Sequence, residues 1–297
     1  MKTRPIYTVD AFTRVPLRGN PAGVMPFARG LGEAEMKAVA REMNASETAF
    51  VFPTHEADVK IRFFTPSQEV PFCGHALVGA LTLLEEMGMV KVNGNFGRVQ
   101  VETGVGMLAV DLVRDADGLR VDINQAAPAF RPCELPADRV LEGLGLDDED
   151  LRRDLPLELA YTGLWHLMVP LVGSDALDGL LPDFRALAAL NRELGVMTTH
   201  VFVAEGDGFA CRDFAPAAGI DEDPVTGSAA GALAAYLLRH REIRAAVPIR
   251  ITQGDAQNRP GEIRVVVGGA AGAPTNVVVG GHAVVSLRGE IRMGPVE

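Results

Sequence analysis

The sequence is poor in aromatic residues and in positive charge. Its 297 residues include one Trp and three Tyr, and the formal net charge is −11. Proteins that bind nucleic acids usually offer a basic surface and aromatic rings on which bases stack. The composition therefore argues against a nucleic-acid partner, and an anionic substrate would need a local source of positive potential.

Cysteine is also scarce. Cys73, Cys133 and Cys211 are odd in number and widely spaced, and no two of them form a CxxC pair. This pattern favours free thiols in a reducing compartment over a disulfide framework. The six histidines are scattered as well, without the spacing of a zinc motif, so we predict no metal site.

Long apolar runs are absent. None reaches the ~18 residues that would indicate a membrane span, and hydrophobic residues make up 47% of the chain, as in ordinary globular proteins. The basic start at residues 1–5 leads into a strand-like segment and not into the apolar region of a signal peptide. We expect a cytoplasmic protein without membrane association.

What the chain does contain is one sequence unit twice. Arg62 to Pro66 returns as Arg212 to Pro216, half the chain later, and Cys73 to Ala76 returns as Thr226 to Ala229. Two copies are too few for a solenoid. We predict a pair of pseudo-symmetric domains with a small-molecule site where the copies meet.

Each half combines strand-like alternation with two kinds of helix. Residues 33–44 and 183–194 predict amphipathic helices, whereas residues 75–87 and 228–240 are apolar on nearly all faces. A helix of the second kind must be enclosed. We therefore predict an α+β fold in which each half is a curved, mostly antiparallel sheet around one central helix.

Three residues stand at the starts of the two enclosed helices: Gly74, Gly227 and Ser228. The first amides of a helix and its positive dipole end can bind an anion, which favours a carboxylate substrate. The plainer alternative is that glycine and serine are common helix-start residues. The duplication favours the binding role.

Candidate acid/base groups lie nearby in the sequence. His75 follows Gly74, Asp223 lies four residues before the second helix start, and Glu47 opens a predicted strand. A positioned carboxylate or imidazole can transfer protons to and from a substrate. Structural alternatives exist for all three residues: a polar anchor, a residue that complements the helix dipole, and a solvated loop acid.

Cys73 and Thr226 occupy matching places in the repeat. A cofactor-independent amino-acid racemase needs two opposed bases, commonly two thiols, and these positions would supply them. Only one is a thiol, and a threonine hydroxyl is too weakly acidic to serve as the second. Two-thiol epimerisation is therefore disfavoured.

At these residues the chain resembles the phenazine-biosynthesis PhzF-like isomerase family, a relative of the diaminopimelate epimerase fold. The matching motifs run from end to end of the chain and are specific in combination. They are Val9-Asp10-Ala11-Phe12, Gly19-Asn20-Pro21, Ser46-Glu47-Thr48, Phe64-Thr65-Pro66, Pro71-Phe72-Cys73-Gly74-His75-Ala76, Asp223-Pro224-Val225-Thr226-Gly227-Ser228-Ala229, Gln253-Gly254 and Arg259-Pro260.

The resemblance implies two domains, residues 1–118 with 283–297 and residues 119–282, each an antiparallel β-barrel around a central helix. It places the general acid/base on Glu47, with His75 and Asp223 as its partners. Gly74, Gly227 and Ser228 would bind the substrate carboxylate.

The resemblance further implies a homodimer that uses neither a metal nor an organic cofactor. The family enzyme isomerises trans-2,3-dihydro-3-hydroxyanthranilate by moving a proton between ring carbons. Two alternatives stay open: an amino-acid epimerase that uses Cys73 with a non-thiol partner such as Asp223, and a binding protein that holds a small ligand without converting it.

Overall fold

The structure is a computed structural model that describes residues 2–294. The chain divides into two compact units: unit 1 is Met1–Ile123 with Gly280–Glu297, and unit 2 is Asn124–Val279. The predicted domains, 1–118 with 283–297 and 119–282, differ from these units by a few residues and stay a prediction. Residue 1 and residues 295–297 of the predicted first domain lie outside the described part.

The described residues form a mixed α+β fold with six α-helices and seventeen strands. The helices are α1 (Glu33–Met43), α2 (Gly74–Glu86), α3 (Ala137–Leu144), α4 (Ser174–Asp178), α5 (Phe184–Leu194) and α6 (Gly227–Arg239). The strands of the first half are β1 (Lys2–Ala11), β2 (Asn20–Met25), β3 (Thr48–Phe52), β4 (Val59–Phe64), β5 (Glu69–Val70), β6 (Phe96–Thr103), β7 (Gly106–Asp115) and β8 (Gly118–Asn124). Those that follow are β9 (Ala129–Pro132), β10 (Glu158–Tyr161), β11 (Trp165–Pro170), β12 (Thr198–Glu205), β13 (Gly208–Ala215), β14 (Ile220–Asp223), β15 (Ile249–Gln253), β16 (Gly261–Ala270) and β17 (Ala273–Met293).

One buried helix forms the centre of each unit, as the sequence predicts. Residues 76–84 of α2 and residues 229–238 of α6 are all buried. Helix α2 packs against β1, β2 and β3, and α6 packs against β10, β11 and β16. Since nearly every face of both helices is apolar, strands have to surround them. No helix within residues 2–294 has the length and apolar character needed to cross a membrane.

The strand pairing of unit 1 recurs in unit 2, which confirms the internal repeat. In unit 1, β2 and β3 are parallel, β3 and β4 are antiparallel, and β4 pairs in parallel with β6. In unit 2, β11 and β12 are parallel, β12 and β13 are antiparallel, and β13 pairs in parallel with β15. The predicted mostly antiparallel sheet therefore contains two parallel pairs in each unit. Two parallel strands need a connection that brings the chain back to the end of the sheet where the first strand began. In each of these pairs that connection contains a helix.

The sheet of unit 1 closes into a barrel. Strands β1, β2, β3, β4, β6, β7, β8 and β17 pair in succession, and β17 pairs back with β1. Residues 283–293 of β17 lie antiparallel to β1 throughout this pairing. Gly280 and Gly281 lie within β17. Glycine is required at these two positions because a Cβ atom would collide with Asp122 at the first and with Phe12 at the second.

Two segments fold differently from the sequence prediction. The polar stretch from residue 124 to 151, whose three prolines indicate a place for a crossover between the halves, also contains β9 and α3. The sequence Arg-Asp-Ala-Asp-Gly at residues 114–118 predicts a turn, but the turn is shorter, because β8 begins at Gly118 and pairs with β7 through residue 123. That pairing is the reason residues 119–123 belong to unit 1.

We expect the central helix of unit 2 to carry much of the stability of that unit. Leu237 of α6 is fully buried, so Leu237→Ala should lower the free energy of unfolding by about 2 to 5 kcal/mol through lost burial and an unfilled cavity. Leu181 is 81% exposed, and Leu181→Ala should change it by less than about 0.5 kcal/mol. Urea unfolding of both variants checks this; equal effects would contradict the enclosure of α6.

Candidate active site

In unit 1, three predicted site residues lie together at the start of α2. Glu47 immediately precedes β3, and His75 is the second residue of α2, directly after Gly74. His75 Nε2 lies 3.5 Å from Glu47 Oε2, and the two side chains are only 10% and 16% exposed. The structure thus brings a carboxylate and an imidazole into contact at the N-terminal end of a buried helix.

Two further side chains complete this group. Ser46 Oγ lies 3.3 Å from His75 Nε2, and Cys73 Sγ lies 3.3 Å from His75 Nδ1. Each ring nitrogen of His75 therefore has a hydrogen-bond partner, the Ser46 hydroxyl at Nε2 and the Cys73 thiol at Nδ1. The Glu47 carboxylate lies slightly farther from Nε2, at 3.5 Å. The hydrogen-bonded chain runs from Cys73 through His75 to Ser46, with Glu47 beside it.

Burial keeps the His75 ring neutral. It lowers the pKa of His75 below its ordinary value, and the nearby Glu47 charge opposes this shift only in part. A neutral imidazole beside Glu47 can hold that carboxylate in place or pass a proton to a bound molecule.

The donor atoms of Glu47, Cys73 and His75 lie within 4.8 Å of one another, close enough for a metal ion to be considered. However, the thiol lies nearest Nδ1 of the ring and the carboxylate lies nearest Nε2, so the two groups face different nitrogens of His75. A metal ion would need all three donor atoms to point at a common centre. The arrangement fits a hydrogen-bonded chain better than a metal site.

In unit 2, Asp223 ends β14 and lies beside the start of α6. Its Oδ2 atom is 2.5 Å from the hydroxyl oxygen of Thr226, the residue that precedes α6. Gln253 fixes this segment: its Oε1 accepts from the Thr226 N–H at 3.1 Å, and its Nε2 donates to the Asp223 carbonyl at 2.8 Å. Asp223 and Thr226 are both half-buried.

Both enclosed helices begin with amides that their neighbouring side chains do not cap. The first helical bonds run from Leu77 N to Cys73 O in α2 and from Ala230 N to Thr226 O in α6, each 3.0 Å long. The amides of residues 74–76 and 227–229 precede these bonds. Neither Cys73 nor Thr226 makes a side-chain cap, and neither helix has an acidic residue in its first turn. The positive end of each helix is therefore not neutralised by a side-chain cap or by an acidic residue of its own first turn.

The sequence prediction missed several polar partners of these residues. It did not assign a role to the Ser46 hydroxyl or to the carboxylate of Asp213, which lies 3.0 Å from the Thr226 hydroxyl. A signal for Asp213 exists in the repeat. The first copy has the fully buried Phe63 at the matching position, so a charged residue replaces a core aromatic residue in the second copy.

Comparison with known proteins gives consistent similarities along the chain. The profile of the family described as "Phenazine biosynthesis-like protein" matches residues 9–289. A protein of Deinococcus radiodurans named "Uncharacterized isomerase" is 41% identical over 292 residues, which cover 95% of this chain and 92% of that protein. The trans-2,3-dihydro-3-hydroxyanthranilate isomerase of Pseudomonas fluorescens is 37% identical over 285 residues, with 95% and 97% covered.

A solved structure is similar over the full length. The crystal structure of the Bacillus anthracis phenazine biosynthesis protein of the PhzF family superposes with a TM-score of 0.91 at 29% identity. The match covers 99% of this chain and 100% of that one. The predicted fold class is confirmed by this similarity together with the α+β architecture of the two units.

The contact between Glu47 and His75 predicts the direction of a titration shift. Because the Glu47 charge raises the pKa of His75 against the effect of burial, Glu47→Gln should lower that pKa further. An NMR titration of the His75 ring measures it. Glu42→Gln, which removes an exposed carboxylate from α1, should leave the pKa unchanged. A higher pKa in Glu47→Gln would contradict the assigned contact.

Proposed function

The chain belongs to the phenazine biosynthesis-like family and is an isomerase, and from that premise we propose that it moves a proton between two carbons of a small carboxylate substrate. The resemblance of its motifs to the PhzF-like family is thereby confirmed. The observation that carries the proposal is the contact between the largely buried Glu47 and His75. A carboxylate next to an imidazole can act as a general acid/base.

Glu47 is the proposed proton carrier. Its carboxylate removes a proton from an acidified C–H bond, and the electron pair of that bond passes into the conjugated system of the substrate. The protonated Glu47 then returns the same proton to another carbon, so the product is an isomer and no redox partner is needed. His75 orients the carboxylate through the 3.5 Å contact.

We propose that the second group, around Asp223, also takes part in the reaction. Asp223 polarises or protonates the substrate, and the amides at Gly74, Gly227 and Ser228 hold its carboxylate. Two observations support the anion-binding role: neither helix start is capped by its own side chain, and neither first turn contains an acid. The two helix ends would supply the local positive potential that a chain with a net charge of −11 needs in order to bind an anion.

The proposed substrate is trans-2,3-dihydro-3-hydroxyanthranilate or a close analogue. The support is the name of the Pseudomonas fluorescens relative together with the carboxylate that such a substrate carries. Catalysis without a metal is proposed because the unit 1 group is arranged as a hydrogen-bonded chain. The homodimer implied by the family and the cytoplasmic location expected from the sequence stay predictions.

Replacement of Glu47 tests the proposal most simply. In buffer that contains EDTA, Glu47→Gln should lower kcat for trans-2,3-dihydro-3-hydroxyanthranilate by at least ~100-fold, since positioned acid/base groups contribute roughly 10² to 10⁴. KM should change little, because the amide retains the shape of the side chain.

Glu42→Gln serves as the matched control and should retain the rate of the unmodified protein. Full activity of Glu47→Gln would remove Glu47 from the mechanism. Tight binding of the substrate by the unmodified protein without any conversion would instead favour the alternative of a non-catalytic binding protein.

The second enzymatic alternative, an epimerase that uses Cys73, makes a different prediction. In the proposed mechanism Cys73 only donates a hydrogen bond to His75, which a serine hydroxyl can replace. Cys73→Ser should therefore retain activity within roughly tenfold, like the control Cys133→Ser in unit 2. Loss of activity in Cys73→Ser alone, together with racemisation of an amino acid by the unmodified protein, would favour the epimerase.

A further inference from the structure

Unit 2 contains a buried chain of polar side chains that ends at Asp223. It runs from His166 through Thr198, Asp213 and Thr226 to Asp223, and His200 joins it at Asp213. His166, His200 and Asp213 are fully buried, and Thr198 is nearly so. A cluster of this kind inside a domain is costly unless its hydrogen bonds are satisfied. Its connection to a proposed catalytic residue suggests a purpose beyond packing.

Asp213 lies at the centre of this buried chain of polar side chains. Its Oδ1 accepts from Thr198 Oγ1 at 2.7 Å and faces His200 Nδ1 at 2.8 Å. Thr198 has given its single hydrogen to Asp213, so it accepts from the Nδ1 of His166 at 2.8 Å. The second oxygen, Oδ2, lies 3.0 Å from the Thr226 hydroxyl.

Both histidines of this group face their partners through Nδ1. Burial lowers the pKa of His166 to about 4. The Nε2 atoms of both rings are buried without a hydrogen-bond partner among residues 2–294, so Nδ1 is the atom through which each ring joins the group.

The Thr226 hydroxyl lies between two carboxyl groups and has one hydrogen to give. It is 3.0 Å from Asp213 Oδ2 and 2.5 Å from Asp223 Oδ2. Gln253 Nε2 fills one lone pair of the hydroxyl from 3.2 Å. If Thr226 donates to one carboxyl group, the other carboxyl group must carry a proton and donate to Thr226. Two bare carboxylates would instead place oxygen lone pairs against each other at one of these contacts.

We propose that Asp213 and Asp223 share one proton, which the hydroxyl of Thr226 passes between them. In one position Asp223 is protonated and donates to Thr226, which donates to ionised Asp213. In the other, the O–H bond of Asp213 forms as that of Asp223 breaks, and Thr226 exchanges one hydrogen for another. The two positions contain the same atoms and the same charge, so only the location of the negative charge changes.

The surroundings favour the negative charge on Asp213. Burial raises the pKa of Asp213, but the hydrogen bonds from His200 and Thr198 and the nearby imidazoles of His200 and His166 together hold it below its ordinary value. Asp223 is thus supplied with a proton at its position before α6. Asp213 and Thr226 are positioning residues, since they act through Asp223.

The inference deepens the proposed function and relies on it for the catalytic role of Asp223. With the shared proton, Asp223 can donate to a developing negative charge on the substrate and recover that proton from the product. The shared proton itself can be detected without any substrate, so it can be tested separately.

Infrared spectroscopy of the full chain at pH 7 tests the shared proton. A protonated carboxyl group has a C=O stretch that shifts when H₂O is replaced by D₂O. This band should be present in the unmodified protein and lost in Asp213→Asn, in Asp223→Asn and in Thr226→Val. It should persist in Thr226→Ser, which keeps a hydroxyl, and in Asp221→Asn, which removes an exposed carboxylate from β14.

The outcomes separate this inference from the proposed function. Absence of the band in the unmodified protein, or its persistence in Asp223→Asn, would overturn the shared proton even if the protein is an active isomerase. Presence of the predicted pattern without turnover of trans-2,3-dihydro-3-hydroxyanthranilate would support it while the substrate assignment fails. Asp223→Asn and the two Thr226 variants keep the test decisive if Asp213→Asn does not fold.

Kinetics give the second readout. With the substrate named above, Thr226→Val should lower kcat by roughly tenfold or more at an unchanged KM, and Thr226→Ser should restore it. Equal activity of the valine and serine variants would contradict a role for the hydroxyl. A purely structural role would lower thermal stability in parallel with activity, which a melting curve of each variant detects.

Discussion

Burial of one apolar helix inside each unit determines where the reactive groups of this protein lie. Enclosure of α2 and α6 by strands leaves their N-terminal ends as the places where backbone amides precede the helical hydrogen-bond ladder. Cys73 and Thr226 precede these helices but direct their side chains elsewhere, to His75 and to two aspartates. This arrangement is the basis for the proposal that the amides bind the substrate carboxylate and that the nearby side chains carry out the chemistry.

The two units use the same scaffold for different purposes. In unit 1, Phe63 fills a core position and the polar groups gather around His75 at the start of α2. In unit 2, the matching core position holds Asp213, and a buried polar chain leads to Asp223. The replacement of an aromatic core residue by a carboxylate costs stability unless that charge is well hydrogen-bonded. Its presence beside Thr226 is explained by a role in proton supply.

Much of the fold could be predicted from the sequence because the repeat and the apolar helices are strong signals. The helices at Gly74–Glu86 and Gly227–Arg239 begin one residue before their predicted starts. The short helix α3 was missed because it is only eight residues long, too short for a clear period. The need for glycine at positions 280 and 281 of β17 comes from close contacts with Asp122 and Phe12, which are distant in sequence. The contact of His75 with Glu47 was predictable from motifs, but the hydrogen bonds of Asp213 depend on strand register.

The central claim is that Glu47 carries the transferred proton. A proton NMR time course in deuterated buffer, with trans-2,3-dihydro-3-hydroxyanthranilate as substrate, tests it directly. The account predicts that the unmodified protein converts the substrate, while Glu47→Gln leaves every ring hydrogen of the substrate in place over the same period. Conversion or exchange of a ring hydrogen by Glu47→Gln at the rate of the unmodified protein would contradict the account.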